Sequence, residues 1–260
     1  MMPALLLLAA MAEPAALVPT GNWTLRYAEM ACVLTRDYGT GADKLTFGFR
    51  TMPARNGREM LLVVPGKAMP GNGPAAITLL PGGAPLTGSY ERSSLSAGGQ
   101  LTTVFVAEAA LTGLDKVSAV AVRLGTVDRA FAVPGFAAAV TALATCQDDL
   151  FRRWGIDPAE REFQPPTLQG NPGRFFGVSA YPPAAARAHA QGLALAVAAI
   201  DRRGGVTACK VVVSSGNKPL DDATCQVIRD KAHFTPAHDK AGAAVAAHYV
   251  MPVRWSLPRK

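Results

Sequence analysis

Apolar positions recur with two different periods along the chain, and the change of period divides it. From Trp23 to about Val133 the period is two. Lys44–Arg50 places Leu45, Phe47 and Phe49 on one face of an extended segment. Trp23–Tyr27, Ala31–Arg36, Met60–Val64, Ala75–Leu80, Leu101–Ala107 and Val117–Leu124 carry the β-branched and aromatic residues of further strands. Turn chemistry separates them at Asp37-Tyr38-Gly39, Pro70-Gly71-Asn72-Gly73-Pro74 and Pro81-Gly82-Gly83. Repeated short strands of this kind predict a β-rich unit, sandwich-like or curled.

The helical period then takes over. Phe136, Val140, Leu143, Ala144, Leu150, Phe151 and Trp154 follow spacings of three and four, which predicts one helix with a single buried stripe closing that unit. Periodicity stops between Gly155 and Arg174, where Asp157-Pro158, Gln164-Pro165-Pro166 and Asn171-Pro172-Gly173 disfavour helix at each step. The expected organisation is a β-rich domain over 13–155, a Pro/Gly linker over 156–177 and a second domain over 178–260.

The second domain reads as a small α+β unit. Pro182-Pro183 opens a short Ala-rich helix, and Gly192–Ile200 and Val206–Val213 form a hairpin with 201–205 as its loop. Pro219 begins a helix with Asp221 and Asp222 in its first turn and a stripe of Leu220, Thr224, Val227 and Ile228. The last strand, Val245–Leu257, alternates Val245, Ala247, Tyr249, Met251, Val253, Trp255 and Leu257 on one face. Pro252 lacks a donor for a ladder, so this strand is expected at an edge, with one face of the sheet covered.

Several of these residues form an ordered pattern: Tyr181-Pro182, Gly192, Gly204-Gly205-Val206, Ser214-Ser215-Gly216, Leu220-Asp221, Phe234-Thr235-Pro236-Ala237 and Pro252-Val253-Arg254-Trp255. Over about 80 residues the pattern resembles the C-terminal domain of TonB-type energy transducers. The resemblance implies a periplasmic domain that binds the TonB box of an outer-membrane receptor by adding it as a strand to its own sheet. The peptide would lie along Val245, Tyr249, Val250, Val253, Arg254 and Trp255. Outer-membrane receptor peptides or other envelope proteins are the implied partners, in energy-dependent transmembrane transport. The second reading is an envelope-associated structural protein of the same fold with no receptor coupling.

Composition adds three points. The stretch 1–12 is Leu/Ala-rich and ends in Ala10-Met11-Ala12, which predicts a cleaved signal peptide and export; it is too short to span a bilayer. An even count of four cysteines suits an exported chain, with Cys32 bonded to Cys146 and Cys209 to Cys225, against the alternative of buried thiols. The net charge of +7 favours anionic envelope polymers, but the basic residues are scattered, so no nucleic-acid site is expected.

No constellation predicts an enzyme, a cofactor or a metal centre. His189, His233, His238 and His248 are too spread out to ligate together, and Asp148-Asp149 are neighbours on a helix that point apart. Ser93-Ser94 and Ser214-Ser215 lack the glycines of a nucleophile elbow.

Overall fold

Strand-forming residues account for most of the first half of the chain in the computed structural model, which describes residues 15–53, 57–66, 71–96, 98–107, 110–111, 113–162 and 164–257. The expected signal peptide, 1–12, lies outside them. The strands are β1 (Thr24–Tyr27), β2 (Cys32–Tyr38), β3 (Leu45–Thr51), β4 (Gly57–Val64), β5 (Gly71–Leu80), β6 (Leu86–Ser94), β7 (Gln100–Ala107), β8 (Ala119–Leu124) and β9 (Val127–Ala132). They form one sheet in the order β1-β2-β3-β4-β7-β6-β5-β8-β9, followed by the helix α1 (Phe136–Arg153).

Two of these strands escape the apolar pattern. β6 is LTGSYERSS, mostly exposed along its length, and β9 begins with three exposed residues. β6 has no apolar face to read, and β9 buries only Ala130 and Phe131 near its end. They are held by backbone pairing, Tyr90 opposite both Gly73 and Val104, and Val122 opposite Arg129.

The described residues fall into two compact units. One takes in Leu34–Phe49, Glu59–Val140 and those up to Thr24; the other takes in Leu25–Val33, Arg50–Arg58 and those from Thr141 onward. In the first, the alternating face predicted for Phe47 and Phe49 becomes an aromatic core. Phe47 stacks on Phe131 at 4.5 Å, Tyr38 meets Phe131 edge-on at 5.1 Å, and Phe49 lies 5.6 Å from Phe136. Such pairs contribute beyond the area they bury, about 0.5–1.5 kcal/mol each. The Tyr38 hydroxyl donates to the Ala132 carbonyl at 2.9 Å, and burial pushes its pKa up to about 12.

In the second unit, Cys32 of β2 is bonded to Cys146 of α1, with Cα atoms 6.1 Å apart. Cys146 is fully buried and belongs to the helix stripe itself. Residues 156–177, expected as an extended linker, are fastened at several points. Among them β10 (Thr167–Leu168) and α2 (Pro172–Phe175) precede α3 (Pro183–Arg187), β11 (Gly192–Ile200), β12 (Val206–Val213) and α4 (Lys218–Lys231). The chain ends in β13 (Phe234–Thr235), β14 (Ala237–His238), β15 (Ala244–Val245) and β16 (Ala247–Trp255). β10 pairs with β13, and Gln164 exchanges backbone bonds with His238 at 2.8 and 3.0 Å. Pro158 and Pro172 open short helical turns here rather than barring them, and Leu168 and Phe176 have an apolar cluster to join.

β12, β11 and β16 form a three-stranded antiparallel sheet with β11 in the centre. One face, Ala196, Ala198, Ile200, Met251, Val253 and Trp255, packs with Leu220, Cys225 and Ile228 of α4. The other face was expected to be open. Instead Leu195, Val197 and Val250 are at most 4% exposed. Burial on both sides explains why β11 reads GLALAVAAI, a nearly continuous apolar run with weak alternation.

Candidate functional site

The motif residues of the last domain have structural tasks, and their geometry accounts for each. Asp201 opens the β11–β12 turn: its Oδ1 accepts the N–H groups of Arg203 and Gly205 at 2.8 and 2.9 Å. Those bonds hold its carboxylate below the usual range. Gly204 sits at φ +85°, and a side chain there would run into the Phe234 carbonyl. The close approach is the bond from Phe234 N–H to the Gly204 carbonyl, 3.0 Å, which fastens the hairpin turn to β13. Gly192 is required for a similar reason, since a Cβ would meet the Ser215 carbonyl.

Ser214-Ser215 and Leu220-Asp221 form one device at the start of α4. Asn217 caps the helix, its Oδ1 accepting from Leu220 N–H at 3.3 Å. The Asp221 carboxylate accepts the Ser214 hydroxyl at 2.5 Å, the Ser215 N–H at 2.8 Å and the Ser215 hydroxyl at 2.7 Å. Burial opposes its charge, but these bonds outweigh that, so its pKa lies below the ordinary 3.8. A carboxylate with a depressed folded pKa adds stability above the unfolded value, and loses it as pH falls through the folded one. Asp221→Asn is therefore expected to cost about 1–3 kcal/mol at neutral pH. In urea titrations at several pH values, the gap from the unmodified protein should close below 3.8. An equal gap at every pH would show that the charge is not what matters.

Trp255 anchors the last strand. Its Nε1–H donates to Thr224 Oγ1 at 2.8 Å, and that hydroxyl donates in turn to the Leu220 carbonyl at 2.8 Å. Phe176 and Tyr181 meet its ring edge-on at 5.6 and 5.4 Å. The Tyr181 hydroxyl donates to the Ala190 carbonyl. Between β12 and α4, Cys209 and Cys225 are bonded with Cα atoms 5.4 Å apart.

The residues expected to meet a peptide are not all in one place. The strand expected over Val245–Leu257 is broken at residue 246. Val245 belongs to β15 and pairs with Ala237, away from the edge. Tyr249, Val250, Val253, Arg254 and Trp255 do share β16. Of their side chains, Val253 and Trp255 are in the core and Val250 is buried. Tyr249 packs on Phe234 at 4.9 Å, and burial raises its hydroxyl pKa. Arg254 is exposed. Four of these side chains thus build or adjoin the core, and what β16 offers outward is mainly its backbone.

The edge geometry follows from one bond and an unbroken register. β11 and β16 pair without a shift from Gly192 opposite Trp255 to Ile200 opposite Ala247. The His248 N–H donates to Glu160 Oε2 at 2.6 Å, so His248 points away from β11. By alternation, Val250, Pro252 and Arg254 also turn their backbone groups outward. Pro252, which has no N–H, occupies a position where β11 requires none. β16 is the terminal strand of its sheet, and among the described residues no strand lies beside Val250, Pro252 and Arg254.

A groove of about 440 Å³ lies between β12 and α4, beside Cys209 and Cys225. Its acidic lining is already engaged: Asp222 pairs with Lys218 at 2.7 Å and Asp221 with the two serines. Among the described residues, no three His, Cys, Asp or Glu side chains are grouped to hold a metal ion, and no helix is long and apolar enough to cross a membrane. Asp149 pairs with Arg152 at 2.9 Å on the helix surface.

No curated protein and no solved structure matches the chain. Residues 178–257 match the family model of the Gram-negative bacterial TonB protein C-terminal, the domain that the motif residues resemble.

Proposed function

We propose that this chain is an exported, periplasmic TonB-like binding protein whose last domain takes up an extended peptide along β16. The observation that carries the reading is the outward-facing ladder of Val250, Pro252 and Arg254 on a terminal strand, beside which no strand lies among the described residues. Added strands draw affinity from backbone pairing, so an edge whose own side chains are buried still has what binding needs. The partner is an outer-membrane receptor segment of the TonB-box kind, and the work is binding in envelope transport, with no catalysis and no cofactor. Two disulfides suit an oxidising compartment.

Titration with a TonB-box-like peptide, followed by amide resonances, tests this. Val250 and Arg254 should shift most. Arg254→Pro removes one outward N–H from an exposed residue, as Pro252 already does, and should weaken binding about fivefold to tenfold while stability stays within about 0.5 kcal/mol. Unmoved β16 amides would refute strand addition. Retention on isolated envelope that collapses with salt, without peptide binding, would instead favour the structural reading.

A further inference from the structure

We propose that Glu160 closes one end of the β16 edge and so fixes which part of it a partner strand can use. This rests on the strand-addition reading above. His248 is the first residue of β16 whose backbone points outward, and Glu160 holds it twice. Oε2 accepts the N–H at 2.6 Å, and Oε1 lies 2.8 Å from His248 Nδ1. The carboxylate thus stands where the carbonyl of an added strand would stand.

The clamp is set in a braced piece of chain. Glu160 belongs to the turn Pro158–Glu162, and its N–H donates to the Asp157 carbonyl at 3.0 Å. Asp157 Oδ1 accepts the Ala159 N–H at 2.9 Å. Four residues on, Gln164 is bonded to His238 through both backbone groups. Glu160 is therefore held on either side, and its side chain is 14% exposed. A carboxylate bonded to a backbone N–H makes a stronger bond than a neutral carbonyl, so a partner strand gains little by displacing it.

The consequence is a limit on partner length. Past Glu160 the outward donors are Val250 and Arg254, with none at Pro252. Partner residues running beyond Val250 toward His248 find its N–H already taken while the clamp is closed, and forgo that ladder bond. Each additional bond would come only every second residue, as antiparallel pairing requires.

Two synthetic Val/Thr-rich peptides test this, one matching Val250–Arg254 and one extended at the end facing His248. The unmodified protein should bind both within about twofold, whereas Glu160→Ala should bind the longer one about fivefold more tightly than the shorter. Glu160→Gln, which keeps an acceptor oxygen, should resemble the unmodified protein. An unchanged ratio in Glu160→Ala would overturn the proposal. Amide exchange of the free proteins separates this from the parent reading. The His248 amide should exchange at least about tenfold faster in Glu160→Ala, with Tyr249, which faces β11, as the unchanged control. Equal His248 exchange overturns the clamp. Failure of both peptides to bind either protein, with His248 still released, leaves the clamp standing and removes strand addition.

Discussion

Replacing Cys32 and Cys146 together with alanine should lower stability by roughly 4–5 kcal/mol, more than the roughly 3 kcal/mol expected for Cys209 and Cys225. The difference follows from chain length. The first bond spans 114 residues and the second 16, and a longer loop restricts the unfolded chain more. Burial acts in the same direction. Cys32 and Cys146 are fully buried, so alanine also leaves unfilled space between β2 and α1. Denaturant unfolding of the two double variants, followed by far-ultraviolet circular dichroism, gives the comparison. A larger loss for the Cys209 and Cys225 pair would mean that loop closure is not the dominant effect.

How each bond could be foreseen shows what a sequence exposes. Cys146 lies three residues after Leu143 and four before Leu150, and that spacing puts it on the buried side of a helix. Cys32 begins an alternating segment. Helix stripes and strand alternation are periodic, so they survive in the order of residues, and α1, β3 and α4 follow from them; α3, β11 and β12 follow instead from proline starts, apolar richness and turn chemistry. β6 does not, because a strand of mostly exposed polar residues has no pattern beyond polarity. Its place comes from β5 and β7, which pair with it. The stretch 156–177 shows a related limit. Proline signals what a backbone cannot do, and it says nothing of whether Leu168 and Phe176 have a surface to pack on.

The candidate edge was legible in part. Pro252 marks an edge strand through its missing donor, and the structure puts β16 there. Its missing donor also implies the outward parity that it shares with His248, Val250 and Arg254. Which of those donors is already taken could not be read, because the Glu160–His248 bond joins positions 88 apart in sequence. Side-chain alternation was also misleading as a guide to contact. The residues that alternate most clearly, Val253 and Trp255, do so because α4 buries them. The motif residues share this property: Gly204, Ser214, Ser215 and Asp221 define the fold so strongly because they hold turns and a helix start. A recognisable pattern of this kind identifies the scaffold more readily than the surface it presents.

That distinction gives Trp255 a definite expected behaviour. If Trp255 belongs to the core, truncating it to alanine should cost about 3–5 kcal/mol, the range for large buried aromatic side chains. The loss combines the ring contacts with Phe176 and Tyr181 and the bond to Thr224. Trp255→Phe retains most of the apolar contact and gives up the Nε1 donor, so about 1 kcal/mol is expected. Thr224 tolerates that change, since its hydroxyl still donates to the Leu220 carbonyl. Arg254→Ala, one residue away and exposed, should stay within about 0.5 kcal/mol. Urea unfolding of the three variants separates the cases. A Trp255→Ala protein with an unchanged midpoint and weaker peptide binding would make Trp255 a contact residue. It would also undo the argument that β16 offers its partner backbone rather than side chains. The expected order, with Trp255→Ala most damaging and Arg254→Ala least, holds because the strand's inner face is tied to α4 while Arg254 is exposed.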